Sequence, residues 1–113
     1  MNYEEMSDFE INKAVSSLVD FGDLIITHND SEGTVYLCEK DGLWDMLPIS
    51  YFNPCNNPSD AWPIIELIWG ELMTPPYRGF GTTWERLMSE FKCGKLKAAM
   101  ICFLKMKGAE NEK

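Results

Sequence analysis

Histidine is almost missing from this chain of 113 residues: His28 stands alone. No serine, cysteine or carboxylate is tied to it by a motif, so the sequence offers no base–nucleophile pair for catalysis. The four cysteines, Cys38, Cys55, Cys93 and Cys102, stand far apart and form no C-x-x-C knuckle, so no metal site is expected. No apolar run reaches the ~18–20 residues that cross a bilayer, which excludes a membrane-spanning helix. The opening Met1-Asn2-Tyr3-Glu4-Glu5 lacks the basic and then apolar segments of a signal peptide, so reduced thiols in a cytosol are the expectation. Gly79-Phe80-Gly81 lacks the third glycine and the preceding strand of a dinucleotide loop. No cofactor is implied.

Basic residues are also scarce where they would matter for nucleic acid. Residues 1–60 hold twelve acids and two bases, and residues 61–113 hold six acids and eight bases, for a net charge of −8. Nucleic-acid binding draws its affinity from Lys and Arg at phosphates, so the acidic half cannot be a contact face. In the other half Arg78, Arg86, Lys92, Lys95 and Lys97 read as solvated helix charges. An acidic surface suits a basic protein partner or, as a lesser alternative, imitation of DNA phosphate.

What is present is the composition of a folded domain: 45% hydrophobic and 25% charged residues. Ser7-Asp8-Phe9-Glu10 predicts a capping box, with Met6 and Ile11 as its hydrophobic staple. Ile11, Ala14, Val15 and Leu18 continue one helical stripe over about 8–20, with Gly22 as its stop. Leu24–His28 and Thr34–Glu39 predict strands around an Asn29–Gly33 turn. Asp41-Gly42 suits a two-residue hairpin leading into a third strand, Leu43–Leu47, stopped at Pro48. Apolar bulk on both faces of that strand predicts a sheet covered on both sides.

Residues 51–60, with two prolines and three asparagines, predict a loop. Asp60 is expected to cap the next helix, 60–72, with Ser59 as competitor, because Pro63 then falls in the first turn. Ile64, Ile65, Ile68, Trp69 and Leu72 form its apolar face, and Pro75-Pro76 blocks continuation. Residues 77–91 read two ways. Thr82-Thr83-Trp84-Glu85 could open a short helix, while Gly79 and Gly81 favour a loop and an edge strand at Thr83–Leu87; the balance falls to the strand. Leu96, Ala99, Met100 and Phe103 stripe a last helix, 95–107, stopped at Gly108 before a frayed tail. The expectation is one α+β domain over 1–113, a mostly antiparallel sheet of three to four strands with three helices, arranged like an α-β-α sandwich.

Three stretches carry a family resemblance. They are Ser7-Asp8-Phe9-Glu10-Ile11-Asn12-Lys13, then Phe52-Asn53-Pro54-Cys55-Asn56-Asn57-Pro58-Ser59-Asp60-Ala61-Trp62-Pro63-Ile64-Ile65, then Leu96-Lys97-Ala98-Ala99-Met100-Ile101-Cys102-Phe103-Leu104. In this order they resemble the NinX family, small accessory proteins of lambdoid phages and prophages. The resemblance spans residues 3–107 but departs from the pattern between Trp69 and Cys93. The Asp-Ala-Trp element is also similar to phage α-β-α sandwich domains. The resemblance implies a bacterial host cytoplasm and a role outside the virion, and it brings no activity or catalytic residue with it.

Candidate ligand-binding residues are Asn53, Asn56, Asn57 and Asp60, with Trp62 and Trp84. The asparagines and Asp60 could equally be turn and cap residues. Trp62 and Trp69, seven apart on one helical face, fit a core stripe, whereas Trp84, in a Gly-flanked segment, is expected exposed and in contact with a partner. The function expected is non-catalytic binding of a host or phage protein; the alternative is a small-molecule or nucleotide binder. A homodimer stays open.

Overall fold

The computed structural model describes residues 3, 5–22, 24–41, 45–74 and 81–111. Helix α1 (Asp8–Ser16) starts where the sequence says it should. The Ser7 hydroxyl accepts the Glu10 N–H at 3.2 Å, and the Glu10 carboxylate accepts the Ser7 N–H at 3.3 Å. The helix stops four residues before the expected end. Ser16 and Ser17 turn their hydroxyls onto the carbonyls of Lys13 and Ala14, both at 2.7 Å, and so satisfy the last turn locally. Leu18 consequently leaves the stripe and is exposed.

Strands β1 (Ile25–Asn29), β2 (Thr34–Asp41) and β3 (Asp45–Tyr51) form an antiparallel sheet in the order β1-β2-β3. The β1–β2 turn works as its residues suggest: Asn29 Oδ1 accepts the N–H groups of Ser31 and Glu32, and Gly33 takes φ +69°. The third strand is shifted from its expected place, and Pro48 lies within it rather than ending it. Pro48 pairs with Cys38 beside a register shift at Leu37/Cys38, and β3 is an edge strand; both places tolerate a missing N–H. Residues 42–44, with the expected Asp-Gly turn and Trp44, lie outside the described residues.

Among the described residues five helices stand where three were expected. Helix α2 (Pro58–Leu67) is capped by Asn57, not Asp60: Asn57 Oδ1 accepts the Ser59 N–H at 2.9 Å, and Pro58 takes the first helical position, which needs no N–H. Pro63 therefore sits inside the helix and removes one of its hydrogen bonds. At Ile68, with φ −111° and ψ 14°, the axis breaks and restarts as α3 (Trp69–Met73), two residues before Gly70 could weaken a continuous helix.

The expected edge strand at Thr83–Leu87 is instead helix α4 (Thr83–Phe91). The Thr82 hydroxyl accepts the Glu85 N–H at 3.2 Å, so the second capping motif prevails. Trp84, Leu87, Met88 and Phe91 then repeat at helical spacing and pack on the core. Gly81, at φ +86°, lies before the cap and disturbs nothing. Helix α5 (Lys95–Asn111) runs through Gly108, whose added Cβ would meet only open space.

Helix α5 is the centre of the domain. Residues 98–104 are buried without a break, as in a helix surrounded on all sides. Helices α1, α2 and α4 pack against it, α3 rests on α4, and α1 also lies against β2. The result is an α+β fold of the expected class.

Candidate functional site

The asparagine loop is built from its own side chains. Asn53 O accepts the N–H groups of Asn56 and Asn57 at 3.0 and 2.8 Å, closing a tight turn after β3. The Asp60 carboxylate reaches back to the Asn53 N–H at 2.9 Å. Helix α1 supplies the rest. Asn12, only 5% exposed, donates to Asn53 Oδ1 at 2.8 Å and accepts the Cys55 N–H at 3.1 Å. Asn56 Nδ2 bridges Asp8 Oδ2 at 3.0 Å and Asn53 Oδ1 at 3.1 Å. The amides thus join α1 to the loop, and most of their bonding capacity is spent inside the fold.

Above this seam, α1, β2 and the loop enclose an open cleft of about 300 Å³, lined by Phe9, Asn12, Thr34, Tyr51, Asn53 and Asn56 among others. Asp8 stands at its edge, 3.0 Å from the Lys97 ammonium, which also donates to Met6 O at 3.1 Å. Burial pulls the Asp8 pKa upward, but hydrogen bonds from Lys97 and Asn56 and the Lys97 charge outweigh it, leaving the value below the ordinary one. A lowered folded-state pKa adds stability above about pH 4, lost as the pH falls through the folded value. Asp8→Asn should therefore lower the melting temperature at neutral pH, and the gap from the parent should close toward about pH 3. A gap that stays constant across thermal scans over that range would refute the pair's role.

Nothing in the described residues gathers three His, Cys, Asp or Glu side chains around a common point for a metal. His28 Nδ1 lies 2.9 Å from Asp30 Oδ1 on the surface. All four thiols are free. Burial pushes the Cys55 thiol up to about 12, helped by the Asp8 charge, and the Cys102 thiol up to about 11, helped by Glu71. Burial raises Cys93 as well, but this side chain is only half-buried. Reaction follows the exposed thiolate, so a disulfide reagent at about pH 8 should label Cys93 first and Cys38, Cys55 and Cys102 only on unfolding. Peptide mapping of the early product checks the order.

A second surface has the opposite character. Trp62 is 50% exposed and Trp69 46%, and Met73 is exposed beside Trp69. The rings form a chain: Trp62 to Trp69 at 6.2 Å between centroids, then Trp69 to Trp84 at 6.4 Å, both edge-on. Trp84 is half-buried, and its indole N–H donates to Lys95 O at 2.7 Å while the Lys95 ammonium lies 5.8 Å from the ring centre. Between α3, α4 and the start of α5 runs a groove of about 270 Å³, lined by Trp69, Met73, Thr82, Trp84, Glu85, Met88 and Lys95.

The profile of the family described as Bacteriophage P22, NinX matches residues 2–107. The chain belongs to this family. The NinX match runs through both surfaces and the α5 core, including the segment 69–93 that departed from the resembled pattern. No curated protein and no solved structure shows a significant match. Among the described residues no helix is long and apolar enough to cross a membrane.

In this NinX chain the six candidate residues fall into two groups. Asn53 and Asn56 line the cleft, while Asn57 caps α2 and Asp60 anchors the loop beneath it. Trp62 and Trp84 belong to the opposite, aromatic surface, and neither lines the cleft. Trp62 and Trp69 are exposed rather than core, because Ala61, Ile64, Ile65, Ile68 and Leu72 already fill the inward side of α2 and α3. Trp84 is less free than its segment suggested, since α4 is a helix and turns it toward α5. Sequence reading missed Asp8 and Asn12; the available signal was a polar residue next to the Ile11–Val15 stripe, inside a block that carried the family resemblance.

Proposed function

We propose that this NinX-family chain is a non-catalytic phage accessory protein that works in the host cytoplasm by binding another protein, host or phage, through the tryptophan face of α2 and α3. The observation that carries this reading is the exposure of Trp62, Trp69 and Met73 on helices whose other side is fully packed. Large aromatic side chains supply most of the energy at protein interfaces, and a cluster of them left in water marks a contact surface. The non-catalytic part is supported by His28, which among the described residues meets the exposed Asp30 carboxylate and the Phe9 ring, and by thiols that burial keeps protonated. DNA mimicry gains little: Asp8, Glu10, Asp20, Asp30, Glu32 and Asp60 each bond a neighbour in the chain.

The test compares the parent chain with Trp62→Ser/Trp69→Ser in affinity capture from host lysate at near-physiological salt. The variant should keep its circular dichroism and melting temperature and lose the captured partner. Capture of nothing by the parent, or of the same partner by both, would refute the reading. A second reading, a small-molecule binder, is favoured only by the cleft, whose volume reaches the lower end of ligand sites. A thermal-shift screen with nucleosides and nucleotides tests it, because a ligand at 100 times its Kd adds about 2.7 kcal/mol. No shift with any of them dismisses it.

A further inference from the structure

The tryptophan face has a charge as well as an apolar surface. From residue 41 to residue 77 the sequence contains no Lys, Arg or His, while α2 and α3 carry Asp60, Glu66 and Glu71. Glu66 lies four residues after Trp62 on α2, one turn along the same side of that helix. Glu66 and Glu71 are exposed, and neither is held in an ion pair among the described residues. Glu85 adds a third carboxylate on the groove wall. Among the described residues the cation lining that groove is Lys95, which is set over the Trp84 ring.

The face offers side chains only, since its helices bond their own backbone; an added strand would find no ladder there. Helix α2 spans roughly 15 Å at 1.5 Å per residue, about three helical turns, before the break at Ile68. Across the break Trp62 and Trp69 meet at 6.2 Å between ring centroids, and Met73 follows Trp69 by four residues on α3. Met73 and Met88 supply unbranched thioethers that adapt to a partner's side chains.

We infer that the segment seated on this face is an amphipathic basic helix of the partner, its apolar stripe against Trp62, Trp69 and Met73 and its Lys or Arg side chains against Glu66 and Glu85. This rests on the protein-binding reading above. A second copy of the chain is disfavoured, since two such strips would oppose carboxylate to carboxylate on molecules of net charge −8. An anionic lipid surface is disfavoured by the same charges.

The experiment displays random peptides of 16–20 residues to the full chain and removes those that also bind Trp62→Ser/Trp69→Ser. Enriched peptides should carry apolar residues at helical spacing with Lys or Arg on the flanks, and should become helical on binding. Their affinity should fall about tenfold or more for Trp62→Ser/Trp69→Ser and about threefold or more for Glu66→Lys or Glu85→Lys. Changing a flanking Lys of the peptide to Glu should restore binding to the Glu66→Lys chain. Should the tryptophan variant misfold, the charge variants and their peptide rescue still decide the matter.

Enriched peptides that depend on both tryptophans but are neutral, acidic or extended would overturn the basic helix and leave the docking face standing. No peptide that distinguishes parent from variant would overturn both. Tryptophan-dependent dimerisation in sedimentation, or binding to phosphatidylglycerol vesicles with a blue-shifted tryptophan emission, would assign the face to a second copy or to a membrane and overturn the inference.

Discussion

Leu72→Ala is expected to cost the fold about 3 kcal/mol, whereas Leu67→Ala, the same chemical change five residues earlier, should cost less than about 0.5 kcal/mol. Leu72 is 0% exposed on α3, within the cluster that joins α2 and α3 to α5, and its truncation leaves a cavity the helices cannot close. Leu67 is 76% exposed at the end of α2 and buries nothing that alanine would lose. For a domain with about 5–15 kcal/mol of total stability, the first change is a large fraction and the second is invisible. Urea denaturation of both variants measures the difference directly. Equal losses would mean that Leu67 is covered in solution, as it would be in a stable dimer.

Asn12→Ala should be nearly as damaging, at about 2–4 kcal/mol. The side chain is buried and holds both of its partners across more than forty residues of sequence, Asn53 Oδ1 and the Cys55 N–H. Alanine leaves that buried N–H without an acceptor, while Asn53 Oδ1 keeps only the bond from Asn56. Hydrogen exchange should show the difference at one atom: the Cys55 amide should exchange far faster in the variant than the amides of α5. Retained Cys55 protection in Asn12→Ala would show that the seam is not what holds the loop to α1.

The same seam explains why only part of the polar site was legible in the chain. The run from Asn53 to Asp60 announces a loop and a cap through its own composition, and both are found there. Pro63 alone favours Asp60 as the cap, but Pro63 is not the proline that sets the helix start. Pro58 fits the first helical position better, and that moves the cap to Asn57. Asp8 and Asn12 belong to the cleft only because α1 packs beside the loop, and no local pattern in either segment names the other. The choice at Thr83 was legible in principle: the spacing of Trp84, Leu87, Met88 and Phe91 is helical, and the flanking glycines that argued for a strand lie outside the element.

By itself the sequence determined the α+β class, the Ser7 capping box, the first two strands and the apolar stripe of the last helix. These follow from short-range rules, because a cap, a turn or a periodic stripe is completed within a few neighbouring residues. Only the tertiary structure decided which way the tryptophans look. A spacing of seven places Trp62 and Trp69 on a common side of their helices but does not say what that side meets. Five smaller apolar residues compete for the interior and win, and the break at Ile68 sets the two rings edge to edge in water. That outcome depends on the room left beside α5, a property of the packed whole.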